Sequence, residues 1–522
     1  MLRRAIAPLA VLIFAATPAA AQSDAWWGHV TRLAADSMRG RETGSREHRQ
    51  AAEYIAAGFQ RAGLAPAGTD GYFQPVRFTV RQINESASRL SLVTDGRTTP
   101  IVLGEMAVIG TRASRSGRIE APLVFIGFGL QLPAYGIDEL QGLDLRGKVV
   151  VTLAGGVPKG VPGPVLADAR QRSGTALAAA GAVGVISIAS ARGDVPWSRS
   201  SLARLNPQML IAGAPANGMS LALTINPVHA EQLFAGSTQT YAALQAIADA
   251  GERLPSMALR ARLDATVTID EREITSDNVV GLLPGSDPAL KAEYLVLTAH
   301  LDHVGVGQPI DGDSIFNGAM DNASGIATML ETAVTLGAGT TPLKRSILFV
   351  AVTGEEKGLL GSNWFATHPT VPPDAIVADL NTDMFLPINP LKLLLVNGLE
   401  ESDLADDVRR AATRVGVEVV TDPEPERNGF VRSDQYSFIR NGTPSLSVKV
   451  GFRRGSPEHE RVLRWRQERY HGPKDDLTQP IDRQAAADFN VLYAGLAEEV
   501  ANRPTRPAWY PTSVFKPKRA TP

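Results

Sequence analysis

The sequence predicts an α/β protein: a mainly parallel central sheet with helices on both faces, plus an inserted β-rich α+β domain. Three observations point to this. Apolar runs at 294–299, 345–352, 375–380, 392–396 and 444–450 alternate with helical patterns at about 322–337, 401–415 and 483–501. Runs that are apolar throughout suit strands buried on both faces, as parallel strands are. Residues 110–270 have a different texture, with short β-rich runs such as PLVFIGFGL, GKVVVTLAG and VGVISIA set between Gly and Pro. Finally, histidines and carboxylates gather just past the ends of the apolar runs, on the rim where open α/β sheets bind ligands.

Taken in chain order, residues 1–21 read as a secretory signal peptide. Arg3 and Arg4 precede an apolar stretch from Ile6 to Ala16, and Ala19-Ala20-Ala21 supplies a small-residue cleavage site before Gln22. That stretch is too short to span a bilayer. The expectation is export to the periplasm or medium, with no membrane span later in the chain. Residues 22–109 and 271–505 form one domain in this reading, interrupted by 110–270. The first part opens helically. Ser45 is a plausible N-cap and Gly63 a plausible stop for a stripe of Ala51, Tyr54, Ile55 and Phe59. PVRFTV and SRLSLV then read as strands. Within the insert, the Ala-rich TALAAAGA is the one helix, and MALRARLDATVTI the last strand. Residues 506–522 are a Pro-rich tail.

Composition narrows the function. Among 522 residues, 52 Lys and Arg nearly balance 54 Asp and Glu, so no strong global field favours nucleic acid. The chain has no cysteine. A thiolate metal site is therefore excluded, and any metal must sit on His, Asp and Glu.

The stretch from Tyr294 to Glu356 carries most of the chemistry. YLVLTAHLDH ends in His300 and Asp302, two apart and on one side of an extended chain. A neutral imidazole suits Zn²⁺, and its second nitrogen wants an acceptor. Asp302 either is that acceptor or positions a neighbour. NGAMDNASG places Asp321 before a helix, as a cap, a ligand or both. RSILFVAVTG runs into Glu355-Glu356, whose mutual repulsion a divalent cation would offset. One of the pair can hold metal while the other takes a proton from water. Asp383 closes AIVADLNTDM, and His471 lies in ERYHGPKDD. Two histidines and three carboxylates suit two zinc ions, with one carboxylate to spare. His303 and the remaining histidines read as structural. The arginines between Arg453 and Arg469 read as a solvated or ion-paired face, with a substrate carboxylate as the minor alternative.

HLDH, NGAMDNASG, TGEEKGLLGS, NTDM, RSDQYSF and YHGPKDD occur in an order that resembles peptidase family M28, the co-catalytic zinc aminopeptidases. The intervening block resembles the protease-associated domain often inserted there. The resemblance implies a zinc exopeptidase fold and two Zn²⁺ per chain. His300 and Asp383 would hold one ion, Glu356 and His471 the other, and Asp321 would bridge them. Glu355 would be the general base, and Asp302 would orient His300. The implied substrates are peptides with a free N-terminus. Met320 and Gln435 depart from the family's usual acidic residue and histidine. Alternatives are a carboxypeptidase or dipeptidase of the same fold, an inactive binding protein, and a glutaminyl cyclase. The intact ligand set speaks against the last two.

Overall fold

The computed structural model describes residues 19–190, 196–213, 218–339 and 341–517. Most of the expected leader lies outside them, and the first described helix is Ala19–Leu33. No helix among the described residues is long and apolar enough to cross a membrane.

A ten-stranded sheet organises the chain. At its centre, Ser346–Val352, Tyr294–His300, Ile376–Asn381 and Ser445–Val450 lie side by side and parallel. Every residue of SILFVAV is buried. Alternation divides that strand between two cores: Ile347, Phe349 and Ala351 face one, while Leu348, Val350 and Val352 face the other. Helices Ala19–Leu33, Ser324–Gly337 and Arg483–Asn502 contribute to the first core. Phe365 and Phe438, from helices Leu360–Thr367 and Gln435–Arg440, fill the second. Each such fully buried side chain contributes about 1.5–3 kcal/mol, so the central strands are held rigidly from both sides.

The flanks are antiparallel, which makes the sheet mixed. Phe73–Ile83 and Ile269–Leu283 pair over eleven residues, from Phe73 opposite Val279 to Ile83 opposite Ile269. The chain therefore leaves the first sheet at Ile83 and returns beside the same point at Ile269. Between them lies a second, eight-stranded sheet with its own core around Phe125, Val151, Ile186 and Leu263. Strands Arg89–Thr94, Arg97–Pro100 and Ala107–Ile109 belong to this second sheet. The sequence reading began the block near residue 110. The alternating texture of SRLSLV matches either sheet, and only the pairing of Arg89–Thr94 with Met257–Val267 assigns it. Strand Gln208–Ile211 returns from the block to pair with Phe73–Ile83, tying the two sheets together.

Ser45 caps its helix as the sequence suggests. The Ser45 hydroxyl accepts the His48 N–H at 3.0 Å and starts helix Arg46–Arg61. Asp482 accepts the Ala485 N–H at 2.9 Å and starts Arg483–Asn502. Several helices were not anticipated, among them Leu360–Thr367, Gln435–Arg440 and, inside the block expected to hold a single helix, Tyr241–Asp249. Another, Pro457–Glu468, carries the arginine-rich stretch, capped by Ser456, with Pro457 in its first turn.

Candidate metal centre

Three adjacent parallel strands end on one edge of the sheet, and each delivers part of the site. His300 is the last residue of Tyr294–His300. Glu355 and Glu356 follow Ser346–Val352, and Asp383 follows Ile376–Asn381. Asp321 enters from the turn before helix Ser324–Gly337. His471 arrives from the turn after Pro457–Glu468, with φ of 49°.

These residues form two groups that share Asp321. The His300 Nε2 lies 3.3 Å from Asp321 Oδ1 and 3.3 Å from Asp383 Oδ1. The His471 Nε2 lies 3.2 Å from Asp321 Oδ2 and 3.3 Å from Glu356 Oε2. His303, read from the sequence as structural, also enters the second group, its Nδ1 at 2.7 Å from Glu356 Oε1. His303, Asp321 and Glu356 lie close enough together to hold an ion, and the His471 Nε2 stands within 3.3 Å of the same two carboxylates. The pair Glu355-Glu356 is asymmetric. Glu356 is held by His303 and His471, whereas among the described residues no hydrogen bond or ion pair engages the Glu355 carboxylate.

Asp302 meets His300 and a neighbour through different atoms. The atom meeting His300 Nδ1 is the Asp302 main-chain carbonyl, at 3.1 Å. Its carboxylate accepts the Thr43 hydroxyl at 2.9 Å and the Glu355 N–H at 3.1 Å. Asp302 thus fixes the tautomer of His300 through its backbone and the Glu355 turn through its side chain.

Several supporting residues were not singled out from the sequence. Arg41 is fully buried and donates to the carbonyls of Leu33, Leu301, Asn317 and Gly318. It thereby clamps the His300 loop to the Asp321 loop. Burial lowers its pKa to about 10, against the pull of Asp475, Asp302 and Asp321. Gly40, beside it, has φ of 68°, and a Cβ there would lie 2.2 Å from the Phe316 carbonyl oxygen. Asp475 accepts the N–H groups of Met320 at 2.9 Å and Asp321 at 3.0 Å. Asn322 donates to the Thr382 carbonyl at 3.0 Å, joining the Asp321 and Asp383 loops. Met320 and Gln435, the two departures from the family pattern, are both fully buried. Gln435 accepts from Asn381 and donates to the Gly429 and Phe430 carbonyls.

Buried carboxylates dominate the electrostatics of the site. Burial raises the Glu355 carboxyl well above the usual carboxylate range, and Glu356, Asp434 and Asp383 add to the effect. For His300, burial favours the neutral ring, but Glu355, Asp321 and Asp383 override it and push its pKa well above normal. Such a crowd of buried carboxylates calls for positive charge. The donors are nitrogen and oxygen only, and Asp321 offers one oxygen to each group. This set fits two divalent ions of the zinc type.

Beside Asp383 lies a cavity of about 120 Å³, reaching Tyr470 next to His471. Lys449 and Arg432 line it. The arginine stretch itself is largely engaged. Arg453 binds Glu418 at 2.7 Å, Arg454 pairs with Glu426, Arg461 donates to Asn389 at 2.6 Å, and Arg466 binds Glu424 at 2.5 Å.

Residues 278–497 match the model of peptidase family M28. Aminopeptidase YwaD of Bacillus subtilis (strain 168) is 27% identical over 237 residues, 45% of this chain and 46% of that protein. Leupeptin-inactivating enzyme 1 of Streptomyces exfoliatus is 31% identical over 172 residues, 33% of this chain and 35% of that protein. The chain thus aligns with about half, or less, of the length of these curated relatives. Among solved structures, an aminopeptidase from Aneurinibacillus sp. strain AM-1 superposes with a TM-score of 0.54 at 20% identity. That likeness covers 95% of this chain and 98% of the other, and it bears on the fold. The fold is that of the Aneurinibacillus aminopeptidase structure, and the site is a cluster of buried histidines and carboxylates at the edge of its sheet. Within the chain, residues 278–497 are similar to peptidase family M28.

Proposed function

We infer that the protein is an exported aminopeptidase that removes the N-terminal residue from peptides at a two-zinc centre. One observation carries the reading. Two His–carboxylate groups share Asp321, and one neighbouring carboxylate, Glu355, is left unengaged. In this reading His300 and Asp383 hold one ion, His471 and Glu356 the other, and Asp321 both. Bound zinc supplies a Lewis acid that polarises the scissile carbonyl and makes water more acidic.

The protein's own groups do the rest. Glu355 takes a proton from the attacking water and returns it to the departing amine. Its backbone is fixed by Asp302, so the carboxylate is presented at a set position. His303 holds Glu356 at 2.7 Å and keeps it from the proton-transfer role. The aminopeptidases among the relatives support activity at the N-terminus of peptides. Export rests on the leader-like residues 1–21.

Comparing aminoacyl-p-nitroanilides with their N-acetylated forms tests the activity. The free amines are expected to be cleaved and the blocked forms not. Cleavage of N-blocked peptides alone would place the enzyme among carboxypeptidases. Export is tested by N-terminal sequencing of protein made in a bacterial host. A mature chain starting at Gln22 is expected, and an intact Met1 in the soluble cytoplasm would refute it.

A further inference from the structure

The cavity beside Asp383 contains charge that the two metal groups do not explain. Lys449 lies on the central strand Ser445–Val450 and is half-buried, facing the cavity. Among the described residues no hydrogen bond or ion pair engages its ammonium. Arg432, exposed at the same cavity, is likewise without an ion pair. Asp383 and Asp422 act on Lys449 through space without forming an ion pair. Glu424 is bound by Arg466 at 2.5 Å, and Asp422 accepts the Glu424 N–H at 2.8 Å. An ammonium without an ion-pair partner, set beside residues that would hold metal cations, is costly unless an anion joins it.

We propose that Lys449, with Arg432 at the mouth, makes this cavity a subsite for an acidic side chain, so that the enzyme prefers peptides beginning with Glu or Asp. This rests on the aminopeptidase reading above and adds the substrate class. The cavity abuts Asp383 and Tyr470 and so adjoins both metal groups. At about 120 Å³ it takes one side chain. A C-terminal residue would have to bring its main chain in as well. A site built around an unpaired polar group rejects ligands that cannot satisfy it, so neutral residues are disfavoured.

The test uses the full-length, zinc-supplemented protein and the α-p-nitroanilides of Glu, Asp and Leu. Wild type is expected to have a higher kcat/KM on Glu or Asp than on Leu. In Lys449→Met the Glu-to-Leu ratio is expected to fall about 10–100-fold, the effect of losing a charge-assisted hydrogen bond. Arg432→Ala, at an exposed position, is expected to lower the same ratio less, and it serves if Lys449→Met does not fold. By calorimetry, free L-glutamate is expected to bind wild type more tightly than L-leucine, and Lys449→Met to erase the difference. Turnover of Leu-p-nitroanilide with no acidic preference, or a ratio unchanged in both variants, would overturn the subsite alone. No turnover of any free aminoacyl-p-nitroanilide would overturn the aminopeptidase reading with it. If Lys449→Met instead impairs N-blocked free-acid peptides and spares their amides, the subsite binds a terminal carboxylate and the proposal is wrong.

Discussion

Asp475 accepts the Asp321 N–H on its own carboxylate at 3.0 Å, so one buried acid positions the backbone of another. Its other oxygen takes the Met320 N–H at 2.9 Å and a Gln479 N–H at 2.8 Å. The shared ligand of the two groups therefore hangs from a residue more than 150 positions away in sequence.

Asp475→Asn turns one acceptor into a donor facing a backbone N–H. Zinc affinity is expected to fall about 10–100-fold, the usual effect of losing a group that orients a ligand. Chelator competition measures it. Unchanged affinity in the folded variant would remove Asp475 from the account.

Arg41→Met leaves four carbonyls without their donor. The expected loss is about 3–5 kcal/mol of unfolding free energy, as for other broken buried charge networks. Urea denaturation of the metal-free protein reads it directly. Arg41→Lys should recover little, because an ammonium lacks the planar fork that reaches separate carbonyls. A variant within about 1 kcal/mol of wild type would contradict the clamp.

Glu355→Gln and Glu356→Gln separate base from ligand. The first is expected to keep its metal and lose about 10²–10⁴-fold in kcat, the range for a lost general base. The second is expected to lose metal and activity together. Metal analysis beside steady-state kinetics distinguishes them, and the reverse pattern would exchange the two roles.

His48 gives a pH signature. It is buried against Ser276 and Thr353, and burial, aided by Arg41 and Arg49, lowers its pKa to about 3. The native ring stays neutral while the unfolded one, with its ordinary value near 6.5, takes a proton as pH falls. The unfolded state thus binds more protons between about pH 6.5 and 3, and stability declines with acid across that window. The slope is up to about 1.4 kcal/mol per pH unit. In metal-free protein, His48→Gln is expected to show a shallower decline between pH 6 and 4. Equal slopes would mean that the native ring titrates normally.

The central strands were legible because burial on both faces leaves no polar alternation, as in SILFVAV. The seven residues singled out from the sequence lie together at one edge because each ends or follows such a strand or opens a turn. What stayed hidden depends on pairing between distant segments. Arg41 acts on carbonyls 260 and 276 positions away, which no local pattern marks. The point where the chain leaves the first sheet, Ile83, is set by register with Ile269, while the alternating SRLSLV before residue 110 suits either sheet. His303 looked like a bystander beside His300, and its 2.7 Å contact with Glu356 is a tertiary fact. A signal for Asp475 was present in the DD of YHGPKDD, but loops with paired acids are common on surfaces.

Zinc stoichiometry tests the central claim most directly. Purified, dialysed, fully active protein is expected to hold two zinc ions per chain by elemental analysis, with activity lost on chelation and restored by zinc. One ion or none, with full activity, would contradict a centre built on two groups sharing Asp321.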